Sequence, residues 1–352
     1  MMRVTQDEEA SVAERTDLDD KAGEQAPLRR PRWEELPLVP DSQARSAWGV
    51  FGDDDELGGV NLVSADCAVQ AAALVRTGRS FRLDLPLEYP SPPIFTREPF
   101  RHEVFDIAGT SFLDDRIDNL FPQSSTQWDA LSHGYLRDAG FYNGFSRDQV
   151  FAGKLGIHNI AERGVVTRGV LADVARHRAD AGNPVNPEAG DVITPEDLQA
   201  TLDAHGVRLQ SGDVLCVRTG WMQWYLGLDE AGREKVSEKS RTFQGFALPG
   251  LGPGPEIAEL MWDSGVAMLA ADTPMVEPWP TAARPDGSPA QPAEMLHMLM
   301  LVLLGIPLGE FFDFEALADD CARDGRYDFL FTSAPLRLHG GIGSPPNVLA
   351  VK

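Results

Sequence analysis

After Trp48 the chain switches between a helical spacing of apolar residues and short apolar or alternating runs. Ser64 followed by Ala65–Arg76 predicts a helix capped by that serine, with Gly78 just past its end. Phe81–Leu87 alternates as a strand, and Gly164–Asp173, with Val165, Val166, Val170 and Leu171, predicts a buried one. Thr194-Pro195-Glu196-Asp197 is a helix start: a capping Thr, Pro in the first helical position and acids in the first turn, with the end near Gly206. Val214–Thr219 predicts a core strand closed by Gly220, Glu256–Trp262 a helix, and Val266–Asp272 another strand. Met295–Leu308, which contains His297, Gly305 and Pro307, predicts a buried helix followed by a strand. It is shorter than the roughly 20 residues that a bilayer span needs. This order predicts an α/β fold built on a mixed β-sheet.

Residues 1–32 carry Glu, Asp, Arg and Gln without periodic apolar positions, so a disordered N-terminal tail is expected there. Residues 33–352 show no internal repeat or dividing linker and read as a single domain; Glu277–Pro292 reads as a surface loop within it. Of the 352 residues 43% are hydrophobic, ample for a core, and the net charge of -23 argues against nucleic acid and anionic membranes as partners. Met1–Pro31 lacks the apolar stretch of a signal peptide. The three cysteines, Cys67, Cys216 and Cys321, are too far apart for a CxxC motif and fit a reducing cytoplasm as buried small apolar residues. The expectation is a cytoplasmic protein whose partner is a small molecule.

The chemistry concentrates in Gln123-Ser124-Ser125-Thr126-Gln127-Trp128-Asp129-Ala130-Leu131-Ser132-His133. In extended chain Gln127 and Asp129 point to the same face, with Cα atoms about 6.6 Å apart. Gln123 can join them only if the chain turns at Ser124 and Ser125. Asp129 and His133 share a face if a helical turn begins after Asp129. One carboxylate and two amide oxygens make a hard-donor site for a dication, and one anionic ligand leaves that ion a strong Lewis acid. His133 is then a general base or a ligand to a second ion. The residues alone leave another reading open: Gln123 and Gln127 bond backbone in a loop while Asp129 caps a helix.

The segment resembles the HxxxHxDxxxH metal motif of the cyclase family, which includes kynurenine formamidase and isatin hydrolase. Asp129 and His133 match it, and Gln123 and Gln127 replace its first two histidines. The QxxxQ[WY]DxxxH form is similar to the trans-dienelactone hydrolase branch. The resemblance extends over Trp48–Lys352: Leu57-Gly58-Gly59-Val60-Asn61-Leu62, Arg168–Asp173, Gly212–Leu215 with Arg218–Trp221, and Gly340–Pro345 each resemble family segments. It implies a swivelling β/β/α fold, a divalent metal ion, and a homodimer or larger homo-oligomer. Zinc is the ion of the branch, but amide oxygens suit manganese or magnesium as well. It also implies that His297 and Glu310, spaced like a downstream His and Glu of two-metal relatives, complete a second site; their other reading is a core histidine and a surface Glu.

Among the remaining residues, Trp128 walls the pocket or fills the core, and Tyr142 and Phe145 are candidates for a substrate pocket. His158 reads as structural, and Asp272, ending an apolar strand, reads as a cap. No GxSxG elbow is present, which argues against a serine hydrolase. Three functions fit: hydrolysis of a lactone, cyclic amide or related carbonyl compound; a ring-closing or dehydrating enzyme using the same ion; and a non-catalytic binding protein on the same fold.

Overall fold

The computed structural model describes residues 30–40, 42–281 and 291–352, and the expected tail lies almost wholly outside them. Trp33–Lys352 forms one compact unit. Its centre is a parallel group of strands: β5 (Val165–Asp173), β7 (Val214–Arg218), β9 (Met268–Ala271) and β10 (Leu308–Glu310). Parallel neighbours need crossover connections, and helices supply them. Val174–Asp180 and Pro195–Ala204 lie between β5 and β7, and Trp221–Leu226, Glu230–Thr242 and Pro255–Ser264 between β7 and β9. Every residue of β7 and β9 is buried, as both-face coverage requires of such apolar runs.

Antiparallel strands extend this group on both sides. On one side are β11 (Asp328–Ser333), β13 (Val348–Val351) and β1 (Ser80–Arg82); on the other are β4 (Gln127–Asp129) and β12 (Gly343–Ser344). The order is β1-β13-β11-β5-β7-β9-β10-β4-β12, a mixed sheet of nine strands, as the alternation of elements predicts.

Several predicted ends move, each for a local reason. The helix after Ser64 has its cap, with the serine side chain accepting from Cys67 N, but it stops at Ala72. Beyond it the backbone N–H groups of Thr77 and Gly78 both donate to Lys352 O, which draws the chain to the β13 end of the sheet. Phe81, Leu83 and Leu85 do alternate inward, yet only Ser80–Arg82 finds a ladder partner. The helix from Thr194 has a full capping box, with Asp197 reaching back to Thr194 N. Met298–Leu304 is a π-helix, and Gly305 (φ 69°) ends it in the left-handed conformation.

A second sheet is a hairpin of β2 (Arg101–Asp106) and β3 (Leu113–Asp118), in which every residue is exposed. Exposed apolar side chains therefore gather at Val104, Leu113 and Ile117. Phe81, Leu83 and Leu85 are buried in the protein's own core. Among the described residues no helix is long and apolar enough to cross a membrane.

Candidate metal centre

The site is built across two ladders. In β4, Gln127 and Asp129 share one face and Trp128 takes the other. Antiparallel β10 sets Glu310 opposite Gln127 and Gly309 opposite Trp128. On its other side, β12 sets Gly343 opposite Asp129. Both glycines are there for space. A Cβ on Gly309 would lie 2.6 Å from the Trp128 ring, and one on Gly343 would lie 2.7 Å from Gln123 Nε2 and 2.8 Å from the Trp128 carbonyl oxygen. The same point above Gly343 is 3.5 Å from Asp129 Oδ1, so Gln123 and Asp129 flank the same glycine. It arrives through a 3₁₀ turn, Pro122–Ser124, the bend that the spacing of Gln123 and Gln127 demands.

Asp129, His133 and His297 each offer a ligand atom, and these atoms lie within 4.8 Å of one another. His133 Nδ1 is 3.7 Å from Asp129 Oδ1. His133 gets there through a tight turn, its N–H donating to Ala130 O (2.9 Å), rather than through a helix. His297 immediately precedes the π-helix, a form common at functional positions. Its Nε2 is 3.2 Å from Glu310 Oε1 and 4.0 Å from Asp129 Oδ2, while its Nδ1 is 2.6 Å from Glu277 Oε2. A carboxylate on Nδ1 that leaves Nε2 for an ion is the usual support of a metal-binding imidazole.

Both Asp129 oxygens, Gln127 Oε1, Glu310 Oε1 and Glu277 Oε1 are buried and lack a hydrogen-bond partner among the described residues. Asp129 is wholly buried, Glu277 1% exposed and Glu310 3% exposed. Three buried acids with unspent oxygens are costly unless a cation satisfies them. The donor set thus fits a divalent ion.

Ionisation tells the same story. Burial, with the charge of Asp129 alongside, pushes the Glu310 carboxyl up to about 7 against the opposing pull of His297. For His297 burial acts downward, but Glu277 and Glu310 outweigh it and hold the imidazole well above its ordinary value. His133 is different. Asp129 draws it upward, yet burial and the charges of His297 and Arg97 win and lower it, so it is neutral near pH 7.

The predicted residues fall into two groups. Asp129, His133, His297 and Glu310 converge, with the two glutamines beside them. Gln127 spends its amide nitrogen on Glu310, Nε2 donating to Oε2 at 2.7 Å. Its amide oxygen, the atom expected to face a dication, stays buried and without a hydrogen-bond partner among the described residues.

Trp128, Tyr142 and Phe145 belong to the core instead. Trp128 is fully buried on the far face of β4, donating from Nε1 to Ser333 Oγ (3.0 Å) and packed on Phe312. Tyr142 is fully buried and donates its hydroxyl to Asp55 (3.0 Å), and Phe145 is buried with Lys154 over its ring. Asp272 caps, as expected, accepting from Thr219 N, Thr219 Oγ1 and Gly220 N at 2.8 Å each. His158 begins the helix His158–Arg163 and accepts from Gly340 N. Glu277 and Arg97 escape the sequence reading. The first lies in a Pro-rich stretch that reads as surface loop, and the second has no motif around it.

The Cyclase family model matches residues 82–278. A crystal structure of a novel cyclase is 33% identical with a TM-score of 0.73, the match covering 87% of this chain and 99% of that one. Isatin hydrolase A from Ralstonia solanacearum (20% identity, TM-score 0.53, 82% of this chain and 96% of that one) shares the fold. So does isatin hydrolase A from Labrenzia aggregata bound to benzyl benzoate (19%, 0.50, 80% and 94%). No curated protein matches the chain. With more than half of its residues inside the family model and 33% identity to a solved cyclase over 87% of its length, the chain belongs to the Cyclase family.

Proposed function

We propose that this protein is a metal-dependent hydrolase of a small lactone, cyclic amide or related carbonyl compound. The observation that carries the reading is the set of unpartnered, buried carboxylate oxygens around two imidazoles. Asp129, His297 and Glu310 are the residues that would hold the ion, with Glu277 orienting His297 from behind and Gln127 orienting Glu310 from across the ladder. An imidazole among the holding residues brings zinc back to the front of the candidates, ahead of the magnesium that oxygens alone would suit, with manganese next. When bound, such an ion supplies Lewis acidity and lowers the pKa of water at the site.

His133 has the proton-accepting role. Its side chain is 30% exposed, against none for Asp129, so substrate and water can reach it. Its lowered pKa leaves a ring nitrogen free of its second proton at neutral pH. Asp129, whose Oδ1 is 3.7 Å from Nδ1, keeps that ring beside the ligands.

The test pairs metal analysis with turnover on a panel of γ-lactones and cyclic amides. Asp129→Ala should lose both metal and activity. His133→Ala should keep the metal and lose activity by about 10²–10⁴-fold. Turnover by both variants at the unmodified rate would end the reading. Net water loss with ring formation would replace hydrolysis by the ring-closing activity.

A further inference from the structure

Away from the metal centre a second pair of imidazoles stands in contact. The rings of His158 and His339 have centroids 4.6 Å apart and planes tilted by 37°. One comes from the start of the helix His158–Arg163, the other from the segment that leads into β12. Missing side chains make the room. A Cβ on Gly153 would run into the His339 ring, and one on Gly156 would lie 2.7 Å from both His158 Nδ1 and Gly340 Cα. The two rings line a cavity of about 350 Å³, whose other charged residues are Glu56 and Lys154. Among the described residues, acids and histidines placed in threes for a metal ion occur only at Asp129, His133 and His297, so this pair lacks the third ligand of a metal centre.

Its distinctive feature is the use of one nitrogen. Gly340 N donates to His158 Nδ1 (3.3 Å), so that nitrogen carries no proton and the contact requires a neutral His158. The next three residues pass the restraint on. Gly341 O accepts from Ile157 N (2.8 Å), Ile342 O accepts from Ala130 N (2.9 Å), and Gly343 in β12 stands opposite Asp129. A short run of backbone therefore joins His158 to the strand that carries a metal-binding carboxylate.

A second proton on His158 must go to Nδ1, the atom that faces the Gly340 N–H. Two donors then point at each other, and the hydrogen bond is lost. His339 is exposed and His158 half-buried, so solvent protons reach both, and a proton on each ring sets like charges in contact. The other charges nearby stay fixed. Glu56 and Lys154 are paired at 2.6 Å, and Glu162 and Arg337, which flank the two rings in sequence, are paired at 2.9 Å. Burial acts upward on Glu56, but Lys154, Leu155 N–H and Asn159 outweigh it and hold the carboxyl below its ordinary value, while Glu56 holds Lys154 above its own. Carboxylate, ammonium and guanidinium keep their charges over the range in which an imidazole titrates, about pH 5–8. We propose that His158 and His339 form a pH-sensitive latch: neutral, they hold residues 340–343 and with them β12 against the helix; protonated, they release that segment and loosen the strand that carries Asp129. The latch goes beyond the hydrolase reading and stands without it.

The test follows amide exchange of residues 334–344 in the full chain from about pH 8 to about pH 5, each rate taken relative to an unstructured peptide at the same pH. Protection should fall about 10-fold through about pH 6.5, the loss of one hydrogen bond. His158→Asn, whose amide oxygen can replace Nδ1 as acceptor and does not titrate, should keep its protection throughout. His158→Phe should show the released rate at every pH. His339→Phe removes the like charge and should move the step to higher pH; an unmoved step takes that ring out of the latch. Exchange at Ala130, whose N–H is held by Ile342, should rise with the same midpoint, and its failure to do so would mean that release does not reach β4. Level protection in the unmodified protein, or an equal step in His158→Asn, overturns the proposal.

Discussion

Replacing Glu277 by Gln tests the metal centre at a residue that touches no reacting atom. The side chain keeps its shape, and its amide oxygen can still accept from His297 Nδ1 across the 2.6 Å gap. The amide NH₂ then takes the place of Glu277 Oε1, which has no partner among the described residues and so nothing to clash with. What is lost is charge. A hydrogen bond to an ionised group contributes about 1.5–3 kcal/mol and a neutral one about 1, so the imidazole loses about 0.5–2 kcal/mol of support as a ligand. Supporting carboxylates behind metal-binding histidines are worth 10–100-fold in affinity, which agrees. A second effect opposes it. Glu277 also holds a proton on His297 in the metal-free protein, and that proton competes with the ion. Competition fades as pH rises, so Glu277→Gln should bind zinc about 10-fold more weakly at the alkaline end of a pH series and approach the unmodified protein toward its acidic end. Chelator-competition titrations across the series measure this. Equal affinity at every pH, within twofold, refutes the role of Glu277.

Three further outcomes follow from the same geometry. The Glu310 carboxyl is raised from 4.5 to about 7, so its share of the metal-free protein's stability is complete below pH 4.5 and is lost as pH rises through 7. The loss is up to about 3 kcal/mol, shared with His297; urea unfolding of metal-free protein should show it, and Glu310→Gln should flatten it. Gly343→Ala puts a methyl group 2.8 Å from the Trp128 carbonyl oxygen, which β4 cannot withdraw, and should cost about 1–3 kcal/mol in thermal unfolding along with zinc occupancy. Asp272→Asn turns an NH₂ toward one of the donors of Thr219 or Gly220 and should cost about 1–3 kcal/mol, with metal content unchanged.

What the sequence made legible is what local pattern encodes. The buried strands β5, β7 and β9 and the Thr194 cap follow from apolar runs and turn chemistry. So does the shared face of Gln127 and Asp129. The order of importance within the site does not follow, because it depends on which strand lies beside β4. Glu310 pairs with Gln127 across 183 positions of sequence, and that contact occupies the amide nitrogen, leaves Oε1 unpartnered and brings in a second carboxylate. Trp128 was ambiguous for the same reason: an alternating tripeptide gives two faces, and only the neighbours β10 and β12 decide which one meets the core. Glu277 reads as loop because prolines surround it, yet folding buries it behind His297. Nothing local marks Arg97, whose charge helps to lower His133.

The cluster also dictates how the ion enters. Asp129, Glu277 and Glu310 are buried acids set around His297, and in the metal-free protein protons on His297 and Glu310 offset part of the charge there. His297 holds one near pH 7, and Glu310, with its midpoint at about 7, holds another half of the time. A dication that takes Nε2 and the Glu310 oxygens must displace both. Binding is therefore an exchange that releases roughly one and a half protons per ion at pH 7. Calorimetry in buffers of different ionisation enthalpy counts them directly. Glu310→Gln should reduce the count by about half a proton, and Glu277→Gln should reduce it further by lowering His297. Release of no protons at pH 7 would mean that the ion binds away from His297 and Glu310. The arrangement at β4 and β10 would then need another explanation.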